Sequence, residues 1–294
     1  MRIACLLWEG YEHLGILDSE GQHIAVKALT SQEYWSTSFS ERGRLLGGSR
    51  TVENLSVTEA ELLPPVPHPP KLLCVAANYL EHMRETGRHE SVGDPRPQLF
   101  MKPPTTSLRS HKATVYLPST IQHLDYEAEL AVIIGDYLYQ APDREAAMES
   151  VAGYTAFNDL SERKLSVDSR EDKRENTPFF DWLAGKWING SAPVGPWLVT
   201  TDEVPDPQDL TLQLYLNGEL MQSASTSDML CSVADIVWYA SQIMTLEPGD
   251  IIATGTPAGV GVARRIALKP GDTTDVVIEK IGTLTTRFAK APEE

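Results

Sequence analysis

Three groups of residues have the types and spacing to do chemistry. In Asp125-Tyr126-Glu127-Ala128-Glu129-Leu130, Glu127 and Glu129 are two apart in a segment that reads as a strand, so both side chains point to one face. Adjacent carboxylates on a sheet face repel unless something neutralises them. A hard divalent cation with oxygen ligands would do so, and a solvated strand face is the alternative. Asn158-Asp159 ends the apolar run 154–157, where a strand would stop, so Asp159 is either a third carboxylate for the same ion or a turn or cap aspartate. His82 and Glu85 stand at i and i+3 of a helical segment, on one face. A histidine oriented by a carboxylate is the usual form of a base acting on water, whereas a surface pair would turn Glu85 toward Arg84 or Arg88. All 7 histidines lie at or before His123, so a histidine base has to come from that part of the chain.

The run Thr254-Gly255-Thr256-Pro257-Ala258-Gly259-Val260-Gly261 lacks the Gly-Lys-Ser/Thr of a P-loop. It leads into Val262-Ala263-Arg264-Arg265 and a Pro-Gly-Asp turn rather than a clear helix, so it fails as a dinucleotide fingerprint. Its exposed amides and threonine hydroxyls could still hold a carboxylate. No Gly-x-Ser-x-Gly elbow occurs, which argues against an α/β-hydrolase serine enzyme.

The elements that must position these residues are mostly strands. Residues 1–60 read as short strands and turns. Residues 63–70 hold five prolines and can be neither helix nor central strand. This stiff linker is expected to divide the chain into a small N-terminal β-rich domain, 1–62, and a larger domain, 71–294, that holds all of these candidate residues. Within the latter, 71–76 reads as a strand and 79–86 as a helix with Asn78 as N-cap and Gly87 as its end. Residues 126–134 read as a strand, and 143–152 as a helix closed by Gly153. Asn217-Gly218 is a type I′ hairpin signal, and 233–244 is an amphipathic helix. Pro-Gly-Asp turns at 248–250 and 270–272 alternate with apolar strands. The fold class is α+β, mostly β, with a rolled sheet or barrel rather than a doubly wound parallel sheet.

Composition narrows the partners. The 294 residues carry 41% hydrophobic and 22% charged residues, enough for a sizeable core, and a net charge of −16. Such a surface repels phosphate backbones and anionic lipid, so neither nucleic acid nor membrane is expected as the main partner. It does not forbid an anionic substrate, because a local cation can invert the field in one cleft. The three cysteines, Cys5, Cys74 and Cys231, are widely spaced without a C-x-x-C, as in a reducing cytoplasm. The apolar run 3–8 is short for a signal peptide, and no stretch approaches 18 apolar residues.

Taken in order, these segments resemble the fumarylacetoacetate hydrolase family over about residues 70–288. The matching pieces are Lys71-Leu72-Leu73-Cys74-Val75-Ala76-Ala77-Asn78-Tyr79 with His82 and Glu85, Phe100-Met101-Lys102-Pro103, and the Asp125–Leu130 segment quoted above. Gly153-Tyr154 through Asp159 and Arg163, Lys186, and Pro193-Val194-Gly195-Pro196-Trp197 follow. Asn217-Gly218-Glu219 and Leu246-Glu247-Pro248-Gly249-Asp250, running into the 254–259 loop, complete the set. The resemblance implies a mixed β-roll, a homodimer, and Mg²⁺, with Mn²⁺ or Ca²⁺ as alternatives, on Glu127, Glu129 and Asp159. It implies a water-activating dyad of His82 and Glu85, and a Lys186 that stabilises developing negative charge. Arg163, Thr256, Lys102 and Tyr79 are the implied substrate-binding residues. The activity implied is hydrolysis of a C–C bond in an acylpyruvate-like 1,3-diketo acid through a metal-held enolate. Oxaloacetate-type decarboxylation, keto–enol isomerisation or hydration is the alternative on the same scaffold, and a metal-dependent metabolite-binding protein the non-enzymatic one. The chain departs from the family pattern at Lys164, Ser166 and 187–191, and in the polar stretch 168–176.

Overall fold

The computed structural model describes residues 1–87, 95–165 and 175–292. The N-terminal part comprises β1 (Arg2–Trp8), β2 (Tyr11–Leu17), β3 (His23–Lys27), α1 (Ser31–Ser36), α2 (Phe39–Gly48), β4 (Thr51–Ser56) and β5 (Glu61–Leu62). After the proline-rich segment come β6 (Leu72–Ala76), α3 (Leu80–Glu85), β7 (Gln98–Met101), α4 (Pro104–Ser107), β8 (Leu108–Arg109), β9 (Thr114–Leu117) and β10 (Leu124–Asp125). The central strands are β11 (Ala128–Ile134), β12 (Val151–Asn158) and β14 (Ala192–Thr200), with α5 (Arg144–Glu149), β13 (Ser161–Glu162) and α6 (Thr177–Gly185) between them. The chain closes with β15 (Thr211–Leu216), β16 (Glu219–Ser225), α7 (Val233–Ile243), β17 (Ile251–Ala253), α8 (Gly261–Arg264), β18 (Thr273–Ile278) and β19 (Gly282–Lys290).

The mostly β character expected from the turn and strand pattern is what the chain adopts. The large sheet runs β4-β3-β2-β1-β14-β12-β11-β17-β6-β7, and a second sheet runs β16-β15-β18-β19-β9. Neither order closes on itself into a barrel. The large sheet continues across the proline-rich segment, because β1 pairs antiparallel with β14, Ile3 opposite Leu198.

Strand β11 is buried on both faces. Leu130, Val132 and Ile134 join the core that includes Leu212, Leu214, Val276 and Ile278 of the second sheet. Ala131 and Ile133 face the other way, into a core shared with Leu72, Cys74, Ile3, Leu14 and Leu46. Glu129, and Glu127 just ahead of the strand, have the parity of Ala131 and Ile133. β12 pairs with β11 with Asn158 opposite Ala128, and this register delivers Asp159 beside Glu127.

Three local expectations are corrected. Residues 31–36 and 39–48 are helical, not strand and turn. The overlooked signal is Thr30-Ser31-Gln32-Glu33, a capping box in which the Thr30 hydroxyl accepts from the Glu33 amide and Glu33 reaches back to Thr30. The helix expected over 143–152 stops at Glu149, and Val151 starts β12. Sheet pairing wins there: a Cβ on Gly153 would lie 2.1 Å from the Val199 carbonyl oxygen, so the glycine serves close strand packing rather than a helix end. Asn78 does not cap α3. Its side chain donates to the Cys231 and Thr254 carbonyls and accepts from the Cys231 amide. The Asn217-Gly218 hairpin has the expected turn, with φ of 52° and 83°. Ser166 and residues 168–174 lie outside the described residues.

Candidate active site

Glu127, Glu129 and Asp159 come together as expected. All three are buried, and each offers a carboxylate oxygen within 4.8 Å of the others. The end of β12 is tied to the start of β11 by backbone and side chain alike. The Asp159 amide donates to the Glu127 carbonyl at 2.9 Å, and the Glu127 amide donates to Asn158 Oδ1 at 3.0 Å.

Cations surround this cluster. Lys186, just past α6, donates from Nζ to Glu127 Oε2 and to Asp159 Oδ2, both at 2.7 Å. Lys102 donates to Asp159 Oδ1 and to the Leu160 carbonyl. Arg163 donates through Nε to Asp125 Oδ2 at 2.9 Å and through Nη2 to Glu127 Oε1. Burial works to lower the Lys186 pKa, but the carboxylates of Asp159 and Glu127 outweigh it and hold the ammonium firmly charged. Burial likewise pushes Glu127 upward, but Lys186 and then Arg163 overcome that and keep it ionised. Glu129 is the exception. Burial, then Asp159 and Glu127, raise it well above the carboxylate range, and its one hydrogen bond among the described residues is from the Gly255 amide, at 2.7 Å.

The donor set fits a hard divalent cation. Among the described residues four carboxylates (Asp125, Glu127, Glu129, Asp159) face three cations (Lys102, Arg163, Lys186), and Glu129 is the carboxylate with no ion pair there. A divalent ion on three oxygen ligands would ionise Glu129 and turn the site net positive.

One cavity opens onto this cluster. Its walls include Glu127, Glu129, Lys186, Arg163, His82 and Thr256, with Phe100 and Trp182 forming an aromatic side. His82 Nδ1 lies 3.0 Å from Glu85 Oε1. With the Nδ1 proton donated to Glu85, Nε2 is left as the free base, with no protein partner among the described residues. Glu85 is held in turn by the glycine-rich loop, accepting from the Gly259 amide at 3.0 and 2.8 Å. Burial raises the Glu85 pKa, but the bonds from His82 and Gly259 outweigh it, so it stays below the usual carboxylate range.

The loop that fails as a nucleotide motif therefore has two structural duties: its Gly255 amide orients Glu129 and its Gly259 amide orients Glu85. Glycine is required at both. A Cβ at Gly255 would meet the Asn78 Cβ at 2.7 Å, and one at Gly259 would meet the Met221 carbonyl at 2.2 Å.

Two expected substrate-binding residues stand elsewhere. Lys102 is fully buried behind Asp159 and does not line the cavity. Tyr79 is also buried outside the lining, its hydroxyl without a hydrogen-bond partner among the described residues. Sequence reasoning missed Asp125, which anchors Arg163 and accepts from the Gly261 and Val262 amides. It had a signal, since Asp125 heads the Glu127–Glu129 motif. Gln222, buried between β11 and the glycine loop, had none.

Comparison with known proteins agrees with this geometry. The family described as "Fumarylacetoacetate (FAA) hydrolase C-terminal" matches residues 71–289. The chain is 36% identical over 277 residues to a 2,4-didehydro-3-deoxy-L-rhamnonate hydrolase of Sphingomonas sp. (strain SKA58), covering 93% of this chain and 91% of that one. It is 38% identical over 232 residues to a mitochondrial oxaloacetate tautomerase of Bos taurus, covering 77% and 69%. A fumarylacetoacetate hydrolase structure from psychrophilic Exiguobacterium antarcticum superposes with a TM-score of 0.77 at 32% identity, covering 99% of this chain and all of that one. Among the described residues no helix is long and apolar enough to cross a membrane. With the family match spanning the whole segment that carries the acidic cluster, the lysine and the dyad, the chain belongs to the fumarylacetoacetate hydrolase family, whose members are enzymes acting on keto acids.

Proposed function

We propose that this chain is a hydrolase that cleaves a C–C bond of an acylpyruvate-like 1,3-diketo acid. The observation that carries the reading is that His82, bonded to Glu85, lines the same cavity as Glu127, Glu129 and Lys186. A base on the cavity wall is what water attack needs.

Glu127, Glu129 and Asp159 would hold the divalent cation, Mg²⁺ in our reading, which when bound supplies Lewis-acid polarisation of the keto-acid oxygens. Arg163 and Thr256 hold the carboxylate end of the substrate. His82 Nε2 removes a proton from water, and the hydroxide adds to the distal carbonyl. Glu85 keeps the imidazole oriented and stabilises the imidazolium. Collapse of the adduct breaks the C–C bond, and its electron pair passes into the enolate of pyruvate, beside Lys186 Nζ. A proton then returns to carbon, giving pyruvate and a carboxylic acid.

The likeness to an oxaloacetate tautomerase favours a second reading, in which the same groups only move a proton between carbon and oxygen. A panel of acylpyruvates and oxaloacetate, with Mg²⁺ and with a chelator, separates the two. The expected result is Mg²⁺-dependent release of pyruvate plus a carboxylic acid. Interconversion of keto and enol forms without cleavage of any acylpyruvate would overturn the hydrolase reading.

A further inference from the structure

Gln222 lies on β16, buried, with every polar atom of its side chain engaged. Oε1 accepts from the Ala128 amide at 2.9 Å, and Nε2 donates to the Pro257 carbonyl at 2.8 Å. The polarity of both contacts is unambiguous, because a backbone N–H only donates and a carbonyl oxygen only accepts. The orientation of the amide is thereby fixed from both ends. Its second Nε2 contact, 2.9 Å from Thr256 Oγ1, must then be a donation to the hydroxyl oxygen.

A threonine hydroxyl that accepts at its oxygen still has one proton to give. No acceptor for the Thr256 proton stands among the described residues, and Thr256 lines the cavity beside Arg163 and Glu129. We infer that Gln222 is a positioning residue that sets Thr256 as a hydrogen-bond donor to the cavity, so that the substrate atom seated there is an unprotonated oxygen of a carboxylate or keto group. The inference rests on the keto-acid reading above and adds to it the polarity of one contact and the residue that imposes it. Gln222 also joins the strand carrying Glu129 to the loop carrying Thr256, so the ion-binding and substrate-binding groups share one brace.

The test is a double-mutant cycle on binding of pyruvate in the presence of Mg²⁺, followed by calorimetry, using wild type, Gln222→Glu, Thr256→Val and the double variant. Gln222→Glu keeps an acceptor for the Ala128 amide but offers Thr256 an acceptor, drawing the hydroxyl proton away from the cavity. Pyruvate binding is expected to weaken about tenfold in Gln222→Glu and in Thr256→Val, with Thr256→Ser near wild type. In the Thr256→Val background, Gln222→Glu is expected to change affinity by less than about twofold, because the hydroxyl it acts through is gone. If Gln222→Glu does not fold, Gln222→Met, which removes the donor at similar volume, enters the same cycle with the same expected coupling. Equal weakening by the Gln222 variant in both backgrounds would overturn the inference and leave the keto-acid reading standing. Failure of wild type to bind pyruvate would overturn the reading itself.

Discussion

At the scale of single residues, the site is a set of buried charges in which, among the described residues, four carboxylates face three cations. Glu129 is the sensitive member, because it has no ion pair among the described residues while Glu127 and Asp159 share Lys186. Glu129→Gln removes one ligand without orphaning a lysine, so the fold should survive. Mg²⁺ affinity by calorimetry is expected to drop at least about tenfold to 100-fold. Unchanged Mg²⁺ binding would place the ion elsewhere. His82→Ala should do the reverse, leaving Mg²⁺ affinity intact and lowering turnover of an acylpyruvate by roughly 10²–10⁴-fold. Near-normal turnover would remove the imidazole from the mechanism. Local spacing, two along a strand and three along a helix, marks the carboxylates and the dyad as candidates but leaves a solvated face and a surface pair open, and it is the resemblance of the ordered motifs to the family that selects the site. Lys102 was not legible in its actual place. A lysine in Phe100-Met101-Lys102-Pro103 carries no mark of whether its ammonium faces the cavity or backs an aspartate from behind.

At the scale of elements, α3 is docked on the glycine-rich loop through the Glu85 carboxylate and the Gly259 amide. That contact has a pH sign. Glu85 titrates below its ordinary value in the folded chain, so its stabilising contribution is full above the ordinary carboxylate range and is lost as the pH falls through the folded value. Amide exchange at Gly259, corrected for its intrinsic rate, should therefore show protection that holds near neutrality and declines below about pH 4. Protection unchanged in acid would mean that the loop is held by other contacts. The same scale explains two misread elements. The helix expected over 143–152 takes Gly153 as its end, but pairing of β12 with β11 and β14 claims Val151 onward. Asn78 has the right residue type for an N-cap, yet bonds with Cys231 and Thr254, far along the chain, take its side chain first. Long-range competitors of that kind leave no trace in a local window. The capping box at Thr30–Glu33 was local and could have been read.

At the scale of the whole molecule, the proline-rich segment divides the sequence more sharply than the packing does. We propose it as the boundary of a small N-terminal unit, but that unit completes a sheet and a core. β1 covers the edge of β14, and Ile3, Cys5, Leu14 and Leu46 share one cluster with Leu72 of β6 and with Ala131 and Ile133, the apolar residues on the acidic cluster's side of β11. A fragment starting at residue 71 would expose the β14 edge and one face of the strand that carries Glu129. It is expected to aggregate on size exclusion and to lose Mg²⁺ binding, whereas a monodisperse fragment with wild-type Mg²⁺ affinity would show an independent catalytic domain. The rolled, strand-rich class was readable from the alternation of turns and apolar runs. The order β14-β12-β11-β17-β6 was not, because strands distant in sequence meet there through pairing that no local pattern encodes.

The most direct test of water attack by the His82–Glu85 dyad is turnover of an acylpyruvate in ¹⁸O-labelled, deuterated water with Mg²⁺, followed by mass spectrometry of every product. Hydrolysis should place one solvent oxygen in the released carboxylic acid and solvent deuterium at the methyl carbon of pyruvate, and His82→Ala should suppress the acid. Recovery of intact diketo acid carrying solvent deuterium, with no labelled carboxylic acid formed, would contradict it and assign the site to proton transfer alone.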